Sequence, residues 1–317
     1  MISTRKACAE ELVCIGREII TTIVLEGDIS KSTYSYLFKR EFPERFLNMG
    51  IAEQNMMGVA AGLSTMGFIP IVMTYAVFAS MRACEQLRTS ICCPNLNVKL
   101  CVSHGGLTPG KDGATHQATE DLSMMRAIPN LTVIMPCDGI STRIVVRKAM
   151  EIKGPVYIRL SRNDLPVIYN ERPKLEIGKA IILREGLDIA IIANGDMVSK
   201  ALEAAEVLYE EGINARIIDM HTIKPLDEKI VILCAKEIGA IVTVEDNNIL
   251  GGMGAAVTET VCENYPVPVI RVGLKDTFAE SGIYDELLKK YEMDVNSIVS
   301  SAQRSISLKN RGIVNRR

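Results

Sequence analysis

The chain has 317 residues, is 48% hydrophobic and 23% charged, and carries a net charge of -2. That is about twice a common domain length with an ordinary globular balance, which excludes a disordered chain, a strongly basic nucleic-acid binder and a miniprotein that needs staples. No stretch approaches the roughly 18 uninterrupted apolar residues of a membrane span, and the N-terminal MISTRKACAEEL lacks the apolar core of a signal peptide. The nine cysteines, odd in number and without a C-x-x-C pair, read as reduced thiols of the cell interior, so the expected location is cytoplasmic.

In chain order, apolar runs bounded by turn residues alternate with helical patterns. The run IITTIVLEGD precedes a helix over 52–65, FIPIVMT a helix over 78–92, NVKLCVSH a helix over 117–127, and LTVIMP a helix over 139–151, before the last run PVYIRLS. Such alternation indicates α/β architecture with an open, mostly parallel sheet. NDLPVIYNERPKLEIG, with Pro166 and Pro173, breaks the rhythm as a linker does, which places one domain at 1–165 and a linker at 166–176. A second alternation follows at 177–308: DIAIIANG, a helix over 197–211, ARIIDM, a helix over 227–238, AIVTVED, a helix over 253–263, PVIRVGL, and helices over 283–291 and 294–307. Residues 309–317 read as a short, solvated basic tail.

Two glycine motifs imitate nucleotide sites. GGLTPGKDG has the glycine and lysine of a phosphate loop, but Asp112 and Gly113 stand where a magnesium-holding hydroxyl and a helix start belong. LGGMGAAV follows a strand and opens a helix, yet Val257 replaces the third glycine of a dinucleotide fingerprint, so a tight strand-to-helix turn is expected. His221 has no ligand-like cluster around it in sequence, and no metal site is legible.

Two of only three histidines, His104 and His116, bracket the loop SHGGLTPGKDGATHQ, whose glycines imply a tight turn or a close approach. Since the loop leaves the carboxyl end of a strand, where open α/β sheets bind ligands, His104, Asp112 and His116 are candidates to meet a polar substrate. Glu53, within NMGIAEQNMMGVAAGL, is an acid set among apolar residues at a helix start; the helix dipole favours it there, whereas burial would leave it seeking a partner.

These residues carry a resemblance. GIAEQNMMGVAAGL, TYAVFASMRACEQLR, SHGGLTPGKDGATHQATEDLSMMRAIPNLTVIMPCD and GPVYIRLSR resemble the pyrimidine-binding domain of transketolase. ANGDMVSKALEAAEVL, VTVEDNNILGGMGAAV and LKDTFAESG are similar to that family's C-terminal domain, so the likeness covers nearly the whole chain. It implies that Glu53 hydrogen-bonds the aminopyrimidine of thiamine diphosphate and switches its tautomer, generating the nucleophile at the thiazolium carbon, in apolar surroundings that keep the carboxyl close to neutral. It also implies an aromatic stacker, Phe78 before Tyr75. Arg5, Ser32, His104 and Arg162 would hold a sugar phosphate, Asp112 and Asp28 would meet the substrate, and His116 would bond the reacting carbonyl or hydroxyls. Gln54 and Lys111 depart from the family's usual histidine and acid.

The family's diphosphate domain carries a G-D-G motif, and GDI at 27–29 and GDM at 195–197 lack its second glycine. The resemblance thus implies the C-terminal subunit of a split transketolase that moves a two-carbon ketol unit between sugar phosphates. An N-terminal partner subunit would hold the diphosphate and Mg2+, two copies of each chain assembling by analogy with the symmetric family dimer. The competing readings are the beta subunit of a 2-oxo-acid dehydrogenase and a non-catalytic, degenerate homologue.

Overall fold

The computed structural model describes residues 1–170 and 173–314. Its larger sheet has seven strands in the order Thr222–Lys224, Thr132–Ile134, Val156–Arg159, Lys99–Ser103, Ile69–Tyr75, Thr22–Glu26 and Phe46–Asn48, all parallel except the first. Its central strands are buried along both faces, which is why they read as continuous apolar runs rather than alternating ones. The second sheet runs Val269–Leu274, Ile241–Asn248, Ile189–Ala193, Ala215–Asp219 and Ile181–Arg184, with only the last antiparallel. This is the tandem α/β plan expected from the alternation.

The two halves are not independent beads. Thr222–Lys224 belongs to the second half in sequence but completes the first sheet, and one apolar core runs from Met56, Ala79 and Leu122 to Ile192, Met253 and Val257 across both halves. Separate cores pack the helices Thr4–Glu18 and Gly139–Glu151 on the far face of the first sheet, and Met197–Glu210 with Val295–Val314 on that of the second.

Several elements depart from the sequence expectations. The N-terminal stretch, to which the alternation assigned no element, is ordered: Ser3 caps the helix Thr4–Glu18, and Ile2–Ser3 pairs with Asp164–Leu165 next to the expected linker. The helix expected over 117–127 begins only at Asp121, because Gln117 and Thr119 bond instead to Glu280 and Asn248 of the second half. The helix expected over 78–92 is built as Phe78–Arg82 and Leu87–Cys92, both π-helical, around a short α-turn at Cys84–Gln86. The supposed basic tail is helical as far as Val314; residues 315–317, like residues 171 and 172 of the expected linker, lie outside the described residues.

At LGGMGAAV, Glu245 accepts the N–H groups of Met253 and Gly254, each at 2.8 Å. An internal carboxylate therefore occupies the helix N-terminus that the false fingerprint would offer to a phosphate, and a Cβ on Gly252 would overlap it. Among the described residues no helix is long and apolar enough to cross a membrane, and no cluster of three or more metal-ligating side chains occurs.

Candidate active site

Glu53 is the first residue of the helix Glu53–Thr65, preceded by Ala52, which offers no side-chain cap. It is only 2% exposed, and its Oε2 accepts an N–H of Arg82 at 2.8 Å. Burial thus leaves the acid with a charged partner, beside the apolar surroundings that the resemblance implied. Arg82 also lies over the neighbouring ring, its guanidinium carbon 4.4 Å from the centroid of Phe78. The other oxygen, Oε1, faces Gly27, where a Cβ would come within 3.9 Å of it and 3.5 Å of Thr74 Oγ1. Thr74 itself is buried with no hydrogen-bond partner for its hydroxyl.

From Phe78 the contacts continue through rings. Phe78 stacks on Tyr75 at 5.8 Å between centroids, Tyr75 stacks on His104 at 3.8 Å, and His116 meets Phe78 edge-on at 5.5 Å. Tyr75 is thus held between two rings, and its hydroxyl bonds Ser32 Oγ at 2.9 Å. Half-buried Phe78 is the ring with a face open enough to take a planar cation, the guanidinium of Arg82.

His104 is 1% exposed, adopts a left-handed backbone at φ 65°, and sets Nδ1 2.9 Å from Ser103 Oγ. Burial, reinforced by Arg5, Arg162 and His116, pushes its pKa down to about 3, so it acts as a neutral imidazole. Half-buried His116 places Nδ1 3.0 Å from Thr115 Oγ1. Arg5 bonds the backbone oxygens of Ser32 at 2.6 Å and Arg162 at 2.5 Å, stapling two site loops together, and burial lowers its pKa. Asp28, at φ 65°, receives Asn48 Nδ2 at 2.9 Å, while Glu26 beneath it accepts the N–H groups of Asp28 and Ile29.

The structure therefore joins Arg5, Ser32, Tyr75, Phe78, Glu53, His104 and His116 through one series of contacts, with Asp28 held in its loop by Asn48. Asp112, at the end of the turn Gly110–Asp112, and Arg162 are exposed, and among the described residues their side chains make no hydrogen bond or ion pair. Sequence reasoning missed Arg82 and Asn48. Arg82 had a signal, since it lies four residues after Phe78 on one helix, but the π-helical turn that sets it over the ring is not written in the residue pattern.

The second half of the chain also buries several carboxyl groups. Burial pushes Asp196 up to about 6 and Asp219, Glu245 and Asp246 up to about 7, in each case against opposing hydrogen bonds. Unfolded, such acids lose their protons near pH 4, so between about pH 4 and 7 the native state binds the extra protons and stability falls as pH rises. His104 and His221, lowered by burial to about 3 and about 4, act in the opposite sense, but only below their unfolded value near 6.5. The four raised acids outnumber the two histidines, so the net loss runs from about pH 4.5 to about pH 7.5 and is still under way between pH 6 and 7.5. The expected result is a lower Tm at pH 8 than at pH 6, flattened by Asp219→Asn; a Tm that climbs across this interval contradicts protonated native carboxylates.

Comparison with known proteins decides the family. The model for the transketolase pyrimidine binding domain matches residues 1–167, and that for the transketolase C-terminal domain matches residues 178–298. The chain belongs to the transketolase family. It is 48% identical over 297 residues to a putative transketolase C-terminal section of Methanocaldococcus jannaschii, covering 93% of each chain. With a 6-deoxy-6-sulfo-D-fructose transketolase subunit of Clostridium sp. it shares 41% identity over 288 residues, 91% of this chain and 89% of that one. Rat transketolase is 39% identical over 306 residues, but these are 49% of its length and 95% of this chain. A solved split gene transketolase, described as an inactive beta4 tetramer, superposes with a TM-score of 0.92 at 48% identity, over 98% of this chain and all of that one. Transketolases use thiamine diphosphate, so the contacts around Glu53 and Phe78 can be weighed against that cofactor's aminopyrimidine.

Proposed function

We propose that this chain is the C-terminal subunit of a two-chain transketolase that moves a two-carbon ketol unit from a ketose phosphate to an aldose phosphate. The observation that carries the reading is the contact series from Glu53 through Phe78, His116, Tyr75 and His104 to Ser32 and Arg5. Glu53 and Phe78 fit an aminopyrimidine, because Arg82 already sets a planar, N–H-bearing cation in contact with both, which is the shape and donor chemistry such a ring presents. Bound there, thiamine diphosphate would supply a nucleophilic carbon that accepts and releases the ketol unit.

The chain's own groups would do the rest. Glu53 would give and take one proton at the ring nitrogen without leaving its place. Phe78 would hold the ring's face. Neutral His104, with His116, would donate to and accept from the substrate's oxygens, while Arg5, Ser32 and Arg162 would orient the phosphate end, with Asp28 and Asp112 at its hydroxyls. An N-terminal subunit is assigned the diphosphate and its Mg2+, in an assembly with two copies of each chain. Support for a partner comes from relatives of the same span that are named as a section or a subunit, and from Ile51 and Met81, 75% and 42% exposed beside Glu53 and Arg82 in sequence.

The test is to recover the native partner and assay ketol transfer by the complex and by each chain alone, with thiamine diphosphate and Mg2+. Transfer by the complex only is the expected result. Oxidative decarboxylation with a lipoyl-bearing partner would replace this reading by that of a 2-oxo-acid dehydrogenase. Within the complex, Arg162→Ala is expected to raise KM for phosphorylated acceptors about 10-fold or more, and far less for unphosphorylated ones. Equal effects on both would remove the phosphate role.

A further inference from the structure

The histidine loop is anchored by the second domain. Asp246, on the strand Ile241–Asn248, is fully buried, and its carboxylate accepts the N–H of Leu107 at both oxygens, at 2.9 and 3.1 Å. Tyr284, on the helix Tyr284–Lys290, donates its hydroxyl to the same carboxylate at 3.2 Å. The glycines of the loop are spaced for this docking: a Cβ on Gly106 would overlap the Asp246 carboxyl, and one on Gly105 would come 2.8 Å from Arg159 Cγ. Farther along, Gly110 O accepts the N–H of Gly282 at 3.3 Å, and Gln117 Nε2 donates to Glu280 O at 3.1 Å. Leu107 completes the attachment by packing into the second domain's core. The loop is thus fixed three residues after His104, two before Asp112 and one after His116, each time to the second domain.

We propose that Asp246, backed by Tyr284, is a positioning residue that sets His104 and His116, so that the C-terminal domain fixes the geometry with which the pyrimidine-binding domain meets substrate. The inference rests on the reading above, in which those histidines contact the sugar. Asp246 suits the task because a carboxylate can accept a backbone N–H and a phenol together, and because a buried N–H left unpaired at Leu107 would let the loop relax away from the strand end. The loop needs such an external anchor, since His104 holds a backbone conformation that residues other than glycine rarely adopt.

The test uses the full chain, whose three histidines give a spectrum simple enough to assign by substitution. With 13C-labelled imidazoles, Asp246→Ala is expected to shift or broaden the His104 and His116 signals and to leave His221 in place. In the complex with its partner, it should raise KM for the donor ketose phosphate about 10- to 100-fold while kcat changes much less. Asp246→Asn, which keeps an acceptor for Leu107, should restore most of both. Should Asp246→Ala fail to fold, Tyr284→Phe decides, with a smaller displacement of the same two signals expected. Unmoved histidine signals and unchanged KM beside a lowered Tm would reduce Asp246 to a stabilising contact and overturn the proposal. If the wild-type complex transfers no ketol unit, the functional reading falls, while the histidine signals still decide whether Asp246 positions the loop.

Discussion

Glu53→Gln is expected to lower kcat of the two-chain complex by about 10²- to 10⁴-fold, the usual contribution of a positioned proton-transfer group, while thiamine diphosphate still binds. Glutamine has nearly the same shape and can hydrogen-bond the pyrimidine nitrogen, but it cannot exchange a proton with it. Arg82 makes the expectation sharper. In this structure Arg82 bonds Glu53 Oε2 and covers Phe78, so seating the pyrimidine on that ring requires the guanidinium to slide aside while Oε1, toward Gly27, stays available. Glutamine at position 53 also removes the charge that holds Arg82, so binding should be preserved or improved even as turnover is lost. Calorimetric titration of the cofactor beside a ketol-transfer assay separates these effects. Full retained turnover would sink the role of Glu53, and loss of both binding and turnover would mark it as structural.

The architecture was legible because its signals are local. Parallel strands buried on both faces must be apolar throughout, as in Thr22–Glu26 and Ile189–Ala193, and amphipathic helices such as Met197–Glu210 must repeat near 3.6 residues. The edge strands of the seven-stranded sheet were not legible: Phe46–Asn48 and Thr222–Lys224 are three residues each, too short to carry a period, and neither lies in a longer apolar run. Helix Thr4–Glu18 escaped because its start looks like a charged terminus, although Ser3 caps it. At the site, residue types that are rare in this chain or out of place, His104, His116 and Glu53, stood out. Their partners did not, because contacts such as Arg82 to Glu53 join residues 29 apart and Asp246 to Leu107 residues 139 apart. The glycines of the histidine loop suggested a close approach, but sequence could not say that Gly105 and Gly106 approach Arg159 and Asp246.

Arg159→Met is expected to cost about 3–5 kcal/mol of stability, the usual consequence of removing one partner of a buried ion pair. Arg159 is fully buried, 3.0 Å from Asp121 Oδ1, and donates to the backbone oxygens of Asp246 at 3.0 Å and Ala118 at 2.5 Å. The contact with Asp121 is an ion pair without hydrogen-bond alignment, and Tyr157 supplies the other oxygen of Asp121 with a proper bond at 2.7 Å. Burial raises Asp121 despite the guanidinium, whereas Arg159 stays cationic because its desolvation, the largest single effect, is outweighed by Asp121, Asp246, Tyr157 and Asp196 together. Methionine can fill the stem's space but strips Asp121 of its counter-charge, so its carboxyl is left unpaired or must take up a proton, and it strands two carbonyl oxygens. Pairing Arg159→Met with Asp121→Asn removes the unpaired carboxyl and should recover at least about 1 kcal/mol by double-mutant cycle. Denaturant unfolding of the single and double variants reads this directly. If the double variant is no more stable than Arg159→Met alone, the loss comes from the carbonyl oxygens of Ala118 and Asp246, and Arg159 serves mainly to clasp the histidine loop to the second domain.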